Sequence, residues 1–172
     1  MSPTEAQILV GVFRDLAWVR VRGKGTFRVS PALRRFANCI LEEGQDRIIV
    51  DLEECPSMDS TFMGTLTGVA LMLKDRPESL FQVVNAGEKN LESLRTLGLD
   101  QVFQVDVDGS AWKDVKALVD ENVNRMLAPA HLNPEEKRRF IVEAHQALCE
   151  ANRENVPQFQ DVLMYLSQHH RP

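Results

Sequence analysis

The stretch that decides the fold runs from Arg47 to Asp75 and reads RIIVDLEECPSMDSTFMGTLTGVALMLKD. It opens with Ile48, Ile49, Val50 and Leu52. A short apolar run rich in β-branched residues suits a strand buried on both faces of a sheet. Acids, Cys55 and Pro56 then interrupt it, and from Phe62 the period changes. Phe62, Leu66, Val69 and Leu73 fall at helical spacing, as do Met63, Leu66 and Ala70. Gly64 and Gly68 lie four apart, so one flank of this helix can approach a neighbour closely. At the junction, Asp59, Ser60 and Thr61 offer short oxygen-bearing side chains to the orphan amides of a helix start.

Upstream, QILVGVFR at 7–14 predicts a first strand. Ala17 to Arg22 alternates apolar and polar after its first pair, as a half-buried strand does. Ser30-Pro31 signals a helix start with Ser30 as the cap, and Leu33, Phe36, Ala37, Ile40 and Leu41 continue as its apolar stripe up to Gly44. Downstream, Leu80–Val84 predicts a strand, Asn90–Leu97 a short helix and Val102–Val105 a last strand. The order β-β-α-β-α-β-α-β implies a mixed sheet with helices packed on it, because parallel strands need crossovers.

The turn DVDGS at 106–110 marks a boundary, dividing a first domain (1–109) from a helical C-terminal extension (110–172). In the extension, Val115, Leu118, Val119, Val123, Met126 and Leu127 predict one apolar helix face. Asn133-Pro134-Glu135-Glu136 is a capped helix start, followed by the stripe Phe140, Ile141, Ala144, Ala147, Leu148 and Ala151. A final helix begins at Pro157 and carries Phe159, Val162, Leu163 and Leu166. Such stripes must be covered, by the domain, by each other or by a second copy of the chain, so a homodimer through the C-terminal helices is one expectation.

The central stretch resembles the STAS domain, the family of the anti-sigma factor antagonists. The family pattern is a buried strand ending in Asp, a short loop, Asp-Ser-Ser-Gly-Leu-Gly and an amphipathic helix. Asp51 closes the strand here, and Asp59-Ser60-Thr61-Phe62-Met63-Gly64 fills the motif, with Phe62 in place of a glycine. The resemblance covers roughly residues 5–107. It implies an α/β fold, a STAS-like mixed sheet with the helical extension added. It also implies phosphorylation at Ser60, with residues 59–64 as the partner-binding surface and an anti-sigma factor or serine kinase-like protein as the partner. A phosphate at Ser60 would add about −1.5 to −2 charges beside a helix N-terminus. Two other roles fit the same resemblance: a permanently docked accessory subunit of a transporter, and a small-ligand sensor.

Composition narrows the field further. Of 172 residues, 44% are hydrophobic and 26% charged, and the net charge is −5, which speaks against nucleic-acid binding. Cys39, Cys55 and Cys149 are scattered with no metal-ligand spacing, which fits a reducing, cytoplasmic setting. No apolar run reaches the roughly 20 residues of a membrane span. Arg20, Arg22, Lys24, Arg28, Arg34 and Arg35 form a basic run that offers either a solvated face or an anionic-partner surface. No histidine lies near Ser57, Ser60 or Cys55 in sequence, and there is no P-loop or GxGxxG, so no catalytic residue, cofactor or metal site is assigned. His145 is expected at an exposed rim, and the terminal His169-His170 pair is read as disordered rather than metal-binding.

Overall fold

The computed structural model describes residues 5–168. Strands β1 (Gln7–Phe13) and β2 (Leu16–Arg22) form an antiparallel hairpin, with Phe13 opposite Leu16. Helix α1 (Ser30–Glu42) leads to β3 (Arg47–Asp51), α2 (Ser60–Leu73), β4 (Leu80–Val84), α3 (Glu88–Thr96) and β5 (Gln104–Asp106). The extension then supplies α4 (Lys116–Asn122), β6 (Arg125–Met126), α5 (Pro134–Ala151) and α6 (Val156–Gln168).

The sheet order is β5-β4-β3-β2-β1-β6. Strands β2 to β5 are mutually parallel, and β6 adds antiparallel to the far side of β1. The β3 strand is interior and its Ile48, Ile49 and Val50 are buried, as their unbroken apolar run requires. Alternation sends Ile48 and Val50 to one face, where they join Leu33 and Ile40 of α1 and Leu66 and Val69 of α2. Ile49 goes to the other face with Trp18, Val84 and, from the extension, Val119 and Val123. The fold class is the expected one, a mixed sheet with helices on it.

Three local readings are corrected. The helix expected to run on to Leu127 ends at Asn122. There the chain crosses Gly11 so closely that a β-carbon on Gly11 would overlap the Asn122 carbonyl. Val123 turns inward, and Arg125–Met126 pairs with Leu9 and Val10. At α1 the capping position is Val29. Ser30 is already helical, and its hydroxyl donates to the Thr26 carbonyl at 2.8 Å, back-bonding into the preceding turn. His145 is buried, at 4% exposure. The His169-His170 pair lies outside the described residues.

The α2 helix is the most enclosed of the helices. Ten of its fourteen residues are buried, covering more than one stripe. A helix apolar on all sides is covered on all sides. The sheet covers one side and α5 the other; Gly64 lies directly against the backbone of Ala144, with no room between them for a β-carbon. Of the two glycines, Gly64 makes the close approach that the sequence predicts, while Gly68 stands at ordinary contact distance.

Candidate functional site

The site is built at the N-terminus of α2. Asp59 is its cap, with extended backbone, and one carboxylate oxygen accepts from the Phe62 amide at 2.8 Å. The other accepts from the Phe27 amide at 3.0 Å, so Asp59 also pins the loop that follows β2. Gly25 and Met58 bridge the same two segments. Both carboxylate oxygens are therefore engaged, and the turn that presents Ser60 is held from two directions.

Ser60 occupies the first position of α2 and is half-buried. Its Oγ stands 2.9 Å from Nε2 of His145, a residue 85 positions away on α5. Nδ1 of His145 is 2.7 Å from the carbonyl oxygen of Ile141, one turn back on the same helix. A carbonyl only accepts, so Nδ1 carries the proton; in the neutral ring Nε2 is then the acceptor and the Ser60 hydroxyl donates. The imidazole also lies edge-on to Phe159 of α6, with ring centroids 5.1 Å apart. Every polar atom of His145 is thereby satisfied inside the protein, which is the condition for burying it.

The remaining motif residues face inward. Thr61 and Met63 are buried, and Phe62 is fully enclosed at 0% exposure. The departure from glycine at Phe62 is matched by Gly25, where a β-carbon would press on the Phe62 ring at 2.8 Å. Gly64 is taken up by α5. Ser60 itself is half-buried. The half-burial arises because the extension lies across it.

Nearby, Asp51 ends β3 at 2% exposure. It accepts from the Trp18 indole at 3.3 Å, the Asn85 amide at 3.0 Å and the Glu53 backbone at 3.0 Å, and pairs with Arg20 at 3.5 Å. This network ties three parallel strands together at their carboxyl ends. Cys55 donates weakly to the Ser57 carbonyl at 3.3 Å, and burial pushes its thiol up. Three residues of the basic run make ion pairs, Arg20 also with Asp120, Arg22 with Glu54 and Arg34 with Glu143, while Lys24, Arg28 and Arg35 are exposed. Among the described residues, no cluster of His, Cys, Asp or Glu could hold a metal ion, and no helix is long and apolar enough to cross a membrane.

Sequence reasoning missed His145 as the partner of Ser60. One signal was available: His145 is four residues after Ile141 and three before Leu148, which places it on the apolar stripe rather than on a rim. The Ser60–His145 pair has the spacing of a nucleophile and its base. With His145 buried under its own helix and Phe159, a substrate would reach both atoms only by displacing α5.

The arrangement is that of a STAS-like domain: strand, capped turn, and a helix whose first residue is the motif serine, on a mixed sheet. An anti-sigma factor antagonist from Mycobacterium paratuberculosis is similar, with 22% identity and a TM-score of 0.54 over 61% of this chain and 88% of that one. A putative anti-sigma factor antagonist from Thermotoga maritima gives 17% identity and a TM-score of 0.56 over 63% and 94%. The Bacillus cell fate determinant SpoIIAA, in its phosphorylated form, gives 18% and 0.50 over 65% and 100%. These likenesses define the fold. No protein-family model matches the sequence, and neither does any curated protein. The solved structures are matched over most of their length while more than a third of this chain is left over.

Proposed function

We propose that this chain is a regulatory protein-interaction module of the anti-sigma factor antagonist kind, switched by phosphorylation of Ser60. The observation that carries this reading is the position of Ser60. It is the first residue of α2, directly after an Asp59 cap, in a fold shared with proteins of that name, one of which is described in a phosphorylated form. A serine kinase would transfer the γ-phosphoryl group of a nucleoside triphosphate. The Oγ–P bond forms as the bond to the bridging oxygen breaks, the nucleoside diphosphate leaves, and the hydroxyl proton passes to a base of the kinase. The new charge of about −1.5 to −2 sits at a helix N-terminus that partly stabilises it. Asp59 opposes it, so the local surface changes sharply in sign and shape.

The partner in this reading is an anti-sigma factor or serine kinase-like protein that docks around residues 59–64, of which only Asp59 and Ser60 are not buried while α5 is seated. The test is capture of the partner on the unmodified chain, then its affinity for folded Ser60→Asp and Ser60→Ala variants. Ser60→Asp should weaken binding at least about tenfold, the equivalent of 1.4 kcal/mol, while Ser60→Ala leaves it largely intact. Equal affinities would make Ser60 an ordinary helix residue and turn the reading to a permanently docked subunit.

A further inference from the structure

We infer that α5 is a cis-acting cover over the Ser60 motif, so that the switch is closed at rest and opens by a swing of the α5–α6 pair about the connector at 127–133. The inference rests on the reading of Ser60 given above and assigns the extension its role in it.

Three observations carry it. First, the seat for α5 is built into α2: Gly64 leaves no space beneath the Ala144 carbonyl, and the apolar outer face of α2 is buried by α5. Second, α5 delivers a buried His145 to the hydroxyl that a kinase must reach. Third, besides a long apolar seam with α2 that includes the buried Leu148, the cover is anchored at its two ends. At its start, Phe140 packs edge-on to Phe27 at 6.1 Å and lies beneath the Arg34 guanidinium at 4.2 Å. At its end, Asn155 donates to the carbonyls of Leu97 at 3.0 Å and Leu148 at 2.9 Å. The Arg34–Glu143 pair is more than a third exposed on both sides and adds little. Between these anchors the seam stays open as a crevice of about 400 Å³, lined by Asn38, Gly68, Met72 and Ala147. The connector is largely exposed and has no regular structure.

Phosphorylation and the closed state exclude each other. Three further oxygens must enter a space where the two heavy atoms stand 2.9 Å apart. Modification therefore requires opening, and so does docking of a partner over residues 61–64 of the unmodified chain.

The test is thiol accessibility at position 60 in the full chain. Ser60→Cys is placed in a background of Cys39→Ser and Cys149→Ser, and N-ethylmaleimide addition at position 60 is read by peptide mass. It should run at least about tenfold slower than addition at Cys39 of the parent chain, because only the open population reacts. Gly68→Cys with Ala147→Cys then fixes the cover. The β-carbon built at Gly68 stands 3.9 Å from that of Ala147, a spacing that disulfides adopt. After oxidation with diamide, addition at position 60 should fall at least about tenfold further and recover on reduction. Gly64→Ala should change it in the opposite direction. Addition as fast as at Cys39, or indifferent to the lock, overturns the cover. So do disulfide-linked dimers, which would put α5 on a second copy. Maleimide needs no kinase, so the two ideas fail separately. A gated position 60 whose serine no kinase modifies refutes the switch and leaves the cover. A freely accessible serine that is phosphorylated does the reverse.

Discussion

Gly64 and Ala144 touch backbone to backbone: a β-carbon at position 64 would overlap the carbonyl oxygen and carbon of Ala144. Gly68, one turn later, faces only the Ala147 methyl at 3.9 Å, beside the open seam. Gly64→Ala should therefore destabilise the protein by about 1–3 kcal/mol despite its gain in helix propensity. Gly68→Ala should stabilise it by roughly 0.5–1 kcal/mol. Urea midpoints at unchanged slope would measure both. Two shifts of the same sign would show that α5 does not sit as described.

Phe62 is the largest wholly buried side chain of the motif, set against Gly25. Phe62→Ala should cost about 3–5 kcal/mol, since a cavity opens in the core. The glycine of the family pattern would cost still more through its backbone entropy. Thermal unfolding would register the loss. A change below about 1 kcal/mol would mean that the ring is not part of the core.

Asn155 is buried at 2% exposure, and its amide joins α3's end to α5's end. Asn155→Ala leaves two carbonyls without that donor and should cost about 1–3 kcal/mol. Hydrogen exchange should quicken first in α5 and α6, because the lost bonds hold that pair to the rest. Uniform quickening across β3 as well would argue against a separable hairpin.

The thiols offer a pH-dependent readout. Cys39 is exposed, Cys149 half-buried and Cys55 buried. Burial pushes both Cys55 and Cys149 above the ordinary value of 9.0. The thiolate is the reactive species, so alkylation should run Cys39, then Cys149, then Cys55. Ser60→Asp should speed Cys149 selectively. The native state keeps these two protons to higher pH than the unfolded chain does. Stability is thus unaffected by them below the ordinary thiol value of 9.0 and declines as pH rises above it. Cys149 reacting as fast as Cys39 would contradict the packing of α5.

The sheet was legible in the sequence because its signals are local. Ile48–Val50 carries its burial in three adjacent residues, and Asp59 and Asn133 announce helix starts within four positions. The helix ending at Asn122 was not legible. Its stop is imposed by a strand more than a hundred positions earlier, where Gly11 leaves room for the crossing chain. Nor was the true environment of Ser60. A hydroxyl at a capped turn reads the same whether water or a histidine 85 positions away receives its proton. The glycine pair in α2 did announce a close neighbour, without saying which.

The order in which the chain emerges during synthesis follows from where the cover lies. All strands of the parallel sheet are complete by Asp106, whereas the helix that seats on α2 begins at Pro134 and is pinned only at Asn155. At translation speeds of about 5–20 residues per second, the nascent domain spends some 2–10 seconds with the outer face of α2 bare. During that interval Met63, Ala70 and the Gly64 flank form a sticky surface, and Ser60 has no guard. A ribosome-stalled chain whose emerged part ends at Asn122 should accordingly recruit a hydrophobic dye or a holdase chaperone, and one extended past Gln168 and equally clear of the exit tunnel should release it. Equal recruitment by both would show that the late helices do not shield the early domain.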